Sequence, residues 1–427
     1  MTAPDPVPRV IDRGDAWSSV PPASHAASRR GRRLGTAIAA GCLAVLLGGC
    51  SFADRLIEDE VEEPTIEGFY ELPDDVASGD PGTLVRSQEI VGAPDDARAW
   101  RVIYHTTDQA GDPVLSSGLV VAPTGSAPDG GRPVVGWGHP TTGTAPDCAP
   151  SRWIDPFLLM EGLGDLLDRG FVVAATDYVG GGVDGPNSYL VGATAATAVL
   201  DAVRAAQHLP ETDAGDDLVT WGHSQGGQAA LFAASAASSY APELEVHGVA
   251  VAAPAANLPK LIDAHLDDIS GVTIGAYAFA AYAEVYGPTT PGATLESILS
   301  PAGVAAVPAM NDLCLATQST ELHDLARPLV GGFMTADPAA TEPWATLLAE
   351  NVPDAVPADL PVFVAQGLAD ELIDPAETKA YADGLAANGN AVEYVEYPDI
   401  DHGAIGYRAV PRLLEWIDAL AVPGALN

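Results

Sequence analysis

A chain of 427 residues with 47% apolar and only 18% charged side chains has a globular composition and room for one large or two ordinary domains, which excludes a disordered chain. Its 58 acidic against 19 basic residues give a formal charge of −39, which repels phosphate backbones and anionic headgroups and argues against nucleic acid as a partner. The acidity reads as a solubility device on an exported protein and says nothing about fold.

At the N-terminus, Arg29, Arg30, Arg32 and Arg33 precede an uncharged run from Leu34 to Gly49 that ends in Leu47-Gly48-Gly49-Cys50. A basic start, an apolar stretch of about 16 residues and small residues before the cut describe a signal peptide over 1–49, since a spanning helix needs about 20. The ending resembles the lipobox of bacterial lipoproteins, which implies a lipidated Cys50 holding the mature chain at the outer face of the cytoplasmic membrane. A plain signal peptide, with Cys50 incidental and the protein secreted, is the alternative. Residues 50–83 are acidic, carry Pro64, Pro73 and Pro81 and lack periodicity, so they read as a tether. Export places the chain in an oxidising compartment. Setting aside Cys42 inside the signal and Cys50 at its end, Cys148 and Cys314 remain for one disulfide, with two isolated buried thiols as the alternative.

Globular signals begin near Leu84. Runs of β-forming residues at Trp100–Tyr104, Leu115–Val121 and Pro133–Trp137 alternate with Gly, Pro and Asp clusters. From Ile154 the periodicity predicts a helix to Arg169, a strand Phe171–Thr176, a helix Ala193–His208, a strand Leu218–Trp221, a helix Gly226–Ala237 and a strand Gly248–Ala253. Such alternation implies an α/β fold, a mostly parallel central sheet flanked by crossover helices. The rhythm resumes only at the strands Val362–Ala365 and Val392–Tyr397. The body therefore divides into a first core part, 84–257, an inserted and mainly helical cap, 258–356, and a second core part, 357–427. The insertion is Ala-rich, with Tyr277, Phe279, Tyr282, Tyr286, Leu295, Ile298, Leu299, Phe333, Met334 and Trp344 spread through it.

Gly222-His223-Ser224-Gln225-Gly226 follows an apolar strand and opens an Ala-rich helix, the context a nucleophile elbow requires. The glycines are needed because this turn forces the serine into a strained conformation and brings chains too close for a β-carbon. A serine hydroxyl needs a histidine to accept its proton, and in this arrangement the order is Ser, then Asp or Glu, then His. His402 lies beyond the last strand, in a loop leading into the final helix. His208, His247, His265 and His323 read as ordinary surface or core residues, and His223 points away from the serine. Asp370, in the loop after Val362–Ala365, is the first candidate for the orienting carboxylate. Asp374, Asp399 and Asp401 compete with it, each better suited to a cap or turn. The oxyanion donors are expected to be the backbone N–H of Gln225 and, from the loop Gly136–Gly143, that of Thr141 with Thr142 behind it, because Pro140 has none. Neither a metal nor an organic cofactor is needed.

The whole pattern resembles the secretory lipase family, the lipase A-like branch of the α/β hydrolases. The residues that carry the resemblance are Gly136–Gly143, Asp177-Tyr178 with the glycines after it, the elbow at Ser224, the segment at Asp370 and Asp401-His402-Gly403, and it covers about residues 84–421. It implies an α/β-hydrolase fold, carboxylic ester substrates including acylglycerols, and a helical cap that shapes the acyl site. Pro140 stands where a glycine is commoner. Two other readings remain: a serine peptidase or amidase with the same triad, and a non-catalytic surface lipoprotein that binds its ligand in a hydrolase fold.

Overall fold

A computed structural model describes residues 66–73, 76, 78–354 and 356–426. The expected signal peptide, Cys50 and the first part of the expected tether lie outside the described residues. Within the stretch read as a tether, residues 66–70 form a helical turn whose Ile66, Phe69 and Tyr70 pack on Ile103 and Val183, so the folded body begins earlier than Leu84.

Three strands open the body, β1 (Leu84–Glu89), β2 (Ala97–Thr107) and β3 (Pro113–Pro123). They pair antiparallel, and β1 and the full length of β2 exceed the sequence expectation. The β2–β3 hairpin closes where Asp108 Oδ1 accepts the amides of Ala110 (2.8 Å) and Asp112 (2.9 Å). Next come β4 (Arg132–Gly138), α1 (Leu163–Asp168), β5 (Val172–Thr176) and α2 (Gly192–Gln207). The helix expected from Ile154 to Arg169 is reduced to α1. Asp155-Pro156 begins a series of turns, and Gly162, left-handed at φ 82°, allows the helix to start only after it. Then follow β6 (Ala214–His223), α3 (Gln225–Tyr240) and β7 (Glu245–Ala252).

Between β7 and the next strand lie five helices, α4 (Leu258–Ala264), α5 (Ile269–Val285), α6 (Pro301–Asn311), α7 (Ser319–Ala326) and α8 (Trp344–Glu350). The chain then returns through β8 (Val362–Gly367), α9 (Pro375–Asn388), β9 (Val392–Tyr397) and α10 (His402–Leu420). The nine strands form one sheet in the order β1-β2-β3-β5-β4-β6-β7-β8-β9, parallel from β5 to β9.

Every residue of β4 and β5 is buried, the continuous apolar run expected of parallel strands covered on both faces. One face holds Trp137, Phe171, Trp221, Phe363 and Trp416 against α1 and α10. On the other face, small side chains such as Ala196, Ala202, Ala229 and Ala233 let α2 and α3 lie close to the strands. The register brings Gly138 beside Gly222, His223 beside Ala252, Ala252 beside Ala365 and Gly367 beside Tyr397, so these strands end level at one edge. The loops that carry the candidate chemistry all leave from that edge, where open α/β sheets place their ligands.

Helices α4–α8 bury a second apolar cluster that includes Tyr277, Phe279, Tyr282, Phe333 and Trp344, and it takes in Tyr189, Leu190 and Val191 from the loop before α2. Asp268 caps α5 by accepting the Gly271 amide at 3.0 Å, and Ser300 caps α6 through the Gly303 amide at 3.1 Å. A disulfide joins Cys148 to Cys314 across 166 residues of sequence. Among the described residues, no helix is long and apolar enough to cross a membrane.

Candidate active site

Strand β6 delivers Gly222-His223 to the level edge and the chain turns at once into α3, leaving Ser224 between them at φ 57°, ψ −116°. A non-glycine residue at positive φ is strained, and the surroundings hold it there. The Ser224 amide donates to the Ala252 carbonyl, and the Ser224 carbonyl accepts from the Ala255 amide, both at 3.0 Å. A β-carbon on Gly222 would stand 2.1 Å from the Gly226 carbonyl oxygen, and one on Gly226 would stand 1.8 Å from that of Gly138. Glycine is thus required at both positions, and the second contact brings the loop after β4 against the start of α3.

His402 Nε2 lies 2.9 Å from Ser224 Oγ, and His402 Nδ1 lies 2.8 Å from Asp370 Oδ2. The tautomer that satisfies both contacts donates Nδ1–H to Asp370 and accepts the serine proton at Nε2. Such a chain can take a proton from a nucleophilic serine and hold the resulting imidazolium. The other Asp370 oxygen accepts the amides of Leu372 (2.9 Å) and Ile373 (2.8 Å), and Gln366 Nε2 donates to Oδ2 at 3.2 Å. Burial pushes the Asp370 carboxyl up, but the neighbouring His402 and the two amides more than offset this and hold it below the usual carboxylate range. All three side chains are buried: Ser224, Asp370 and His402 are 5%, 6% and 1% exposed.

The competing carboxylates are placed elsewhere. Asp374 caps α9 by accepting the Ala376 amide at 2.9 Å, Asp401 caps α10 through the Ala404 amide at 3.0 Å, and Asp399 is exposed. Because Asp401 already caps, His402 is the first residue of α10 and not part of a loop before it. His208, His247 and His265 are engaged with the Arg204 carbonyl, Asp217 and Asp268. Asp217, Glu245 and His247 form the grouping among the described residues that could hold a metal ion, but it lies at the starts of β6 and β7, at the far end of the strands from Ser224.

Gln225 is the first residue of α3, so its N–H has no intrahelical partner. Thr141 and Thr142 are both buried in the loop after β4. Thr141 Oγ1 meets the Tyr189 hydroxyl at 2.8 Å, and the Thr142 carbonyl accepts the Ala316 amide at 3.1 Å. Tyr178, itself at φ 63°, donates its hydroxyl to the His139 carbonyl at 2.9 Å and steadies this loop from β5.

Two site-lining residues escape sequence reasoning. Tyr189 precedes α2 without any motif around it. Glu161 is buried beneath the elbow: its Oε1 lies 3.2 Å from His223 Nδ1 and its Oε2 accepts the Trp137 indole N–H at 3.1 Å. It precedes a helix start and is separated from the elbow by about sixty residues of sequence, so no spacing signals it.

Comparison with known proteins gives a consistent neighbourhood. A model of the secretory lipase family matches residues 158–421. A Mycobacterium tuberculosis protein named a probable inactive lipase is 26% identical over 83% of this chain and 81% of its own. Lipase A of Arthroderma benhamiae is 24% identical over 86% of this chain and 81% of its own. Candida antarctica lipase A in its closed state superposes with a TM-score of 0.67 at 19% identity, covering 82% of this chain and 85% of that one. A variant of the rice cell wall degrading esterase of Xanthomonas oryzae reaches 0.66 at 20% identity, covering 80% of this chain and all of its own. Both superpositions show an α/β-hydrolase fold, the class expected from the sequence.

Proposed function

The chain belongs to the secretory lipase family, and from that premise we propose that it hydrolyses carboxylic esters, acylglycerols among them, through a Ser224 acyl-enzyme. The observation that carries this reading is the unbroken chain of contacts from Ser224 Oγ through His402 to Asp370, at 2.9 and 2.8 Å. His402 takes the serine proton as Oγ attacks the ester carbonyl and then delivers it to the leaving alcohol; water repeats the two steps on the acyl-enzyme. Asp370 holds the imidazole in the working tautomer. The Gln225 and Thr141 amides are the proposed donors to the tetrahedral oxyanion. The inactivity in the name of the Mycobacterium tuberculosis relative is said of that protein; here all three side chains of the proposed triad are present and in contact.

Helices α4–α8 are the proposed cap. Their apolar interior is continuous with Tyr189, whose hydroxyl meets Thr141, so an acyl chain entering beside the oxyanion loop would lie along that cluster. Export is in keeping with the family, and the lipobox-like Leu47–Cys50 supports anchoring through a lipidated Cys50. Mass spectrometry of the mature N-terminus is expected to find a lipid on Cys50; an unmodified start at another residue removes the anchor from the proposal.

A fluorophosphonate probe is expected to label the wild type and not Ser224→Ala, and a p-nitrophenyl butyrate assay to give turnover where an aminoacyl nitroanilide gives none. Labelling with nitroanilide turnover instead would make the protein an amidase. No labelling of folded protein would leave a ligand-binding hydrolase fold.

A further inference from the structure

Resting on the hydrolase reading above, we propose that Glu161 is a positioning residue for His402: a second buried carboxylate that acts through His223 to favour the imidazolium formed during turnover. Glu161 is 1% exposed and receives donors on both oxygens, the Trp137 indole on one and His223 Nδ1–H on the other. A carboxylate offering only acceptors to two donors is the form this nest suits. The Glu161 carbonyl also accepts the Trp221 indole N–H at 3.1 Å, so β4 and β6 together hold the residue in the turn before α1.

His223 links the carboxylate to the His402 ring. Its ring centroid lies 5.0 Å from that of His402, the planes tilted by 46°, and its Nε2 has no hydrogen-bond partner. A proton on that nitrogen would be a buried N–H without an acceptor, so the tautomer that fits carries its proton on Nδ1, toward Glu161, and is neutral. The pair then holds one net negative charge beside the ring that becomes positive when Ser224 attacks. Helix α10 packs on the same carboxylate: a β-carbon on Gly406, one turn after His402, would stand 2.6 Å from Glu161 Oε1. His402 faces Asp370 on its other side, and the remaining titratable groups that feel Glu161 are His139, Tyr178 and Tyr407. Burial keeps His139 neutral and both tyrosines' hydroxyls protonated in the working range, so none of them offsets the Glu161 charge.

The test is the pH dependence of kcat/KM on a short ester for the wild type, Glu161→Gln and His223→Gln. Glutamine at 161 keeps the shape and an acceptor for Trp137 but removes the charge. The acid limb is expected to move to lower pH by about half a unit to one unit, with kcat down roughly tenfold and KM little changed. His223→Gln, which removes the ring lying on His402, is expected to shift the limb the same way by less, and it decides the matter if Glu161→Gln does not fold. An acid limb that stays at the wild-type pH, whether kcat is kept or falls together with the melting temperature, would overturn the proposal and leave Glu161 a packing residue. Fluorophosphonate labelling of the wild type separates this from the parent reading: labelled Ser224 with an unmoved limb sinks only the Glu161 role, and unlabelled Ser224 sinks the hydrolase itself.

Discussion

The strand-end loops of the core and the helical segment between β7 and β8 are built by opposite means. In the core, three side chains far apart in sequence meet because β6, β8 and β9 end level, and each is fixed by backbone contacts: Ser224 by Ala252 and Ala255, Asp370 by the amides of Leu372 and Ile373, His402 by its place as the first residue of a capped helix. In the segment, position is set by volume. Tyr277, Phe279, Tyr282 and Trp344 fill a shared interior that many apolar residues of similar size could fill. In the proposed function, chemistry that fails with an error of about an ångström sits on the first construction, and a surface free to vary with its substrate sits on the second.

The sharpest way to break this contrast is to exchange carboxylates within the core. Asp370→Asn leaves the loop in place but presents an amide where His402 Nδ1–H must donate, and ester turnover is expected to fall about 10⁴-fold with the melting temperature little changed. Asp374→Ala removes only the cap on α9 and should cost about 1 kcal/mol of stability while keeping most activity. A reversed pattern, or loss of activity from Asp399→Asn alone, would show that the orienting acid is not the one the contacts indicate.

A smaller effect is expected where the two regions are joined covalently. The Cys148–Cys314 disulfide ties the turn after the Gly136–Gly143 loop to the segment, and a β-carbon on Gly143 would stand 2.6 Å from Cys148 Sγ and 3.0 Å from Cys314 Cα, so the bridge and that loop are in contact. Closing 166 residues corresponds to about 5 kcal/mol on the loop-entropy estimate, an upper figure for the loss. The double variant Cys148→Ser/Cys314→Ser should melt at a distinctly lower temperature and lose long-chain ester turnover more than butyrate turnover. Equal losses on both esters, followed side by side in one assay series, would mean that the segment supports the fold and does not shape the acyl site.

How much of this was legible in the sequence follows the same divide. Ser224, Asp370 and His402 could be singled out because strand, turn and helix signals repeat around them, and the two cysteines left beyond the expected signal paired as expected. Glu161 and Tyr189 could not, since burial beneath an elbow leaves no periodic mark. The helix expected from Ile154 shortened because Pro156 and Gly162 outweighed apolar spacing, and β1 was missed because an edge strand of alternating exposure carries little hydrophobic signal. Inside the helical segment composition and helical character could be read but not the packing, which depends on contacts between residues tens of positions apart.

The smallest expected effect lies at a polar link between the regions, and its sign can be worked out. His265, at the end of α4, donates Nδ1–H to Asp268 Oδ2 at 2.6 Å and Nε2–H to the Leu372 carbonyl at 2.9 Å, two residues beyond Asp370. Both partners are acceptors, so the doubly protonated imidazolium fits the site. Burial alone would push His265 down, but the Asp268 carboxylate and the carbonyl outweigh it and raise it above the usual histidine value. For Asp268 burial again acts upward, and His265 with the Gly271 amide brings it below the usual value. A raised histidine stabilises fully below its unfolded value of about 6.5 and loses that contribution as pH climbs through the folded value; a depressed aspartate contributes above about 3.9 and loses it in acid. The link is therefore strongest between roughly pH 4 and 6.5. Because the Asp268 side chain is 47% exposed, solvent screening keeps the gain small, and His265→Gln should lower the melting temperature by only about 2 °C at pH 5.5. At pH 9 the neutral wild-type ring can donate only once, so the two proteins should converge. A difference of the same size at both pH values would show that a neutral hydrogen bond, and not the ion pair, joins the helical segment to the acid loop.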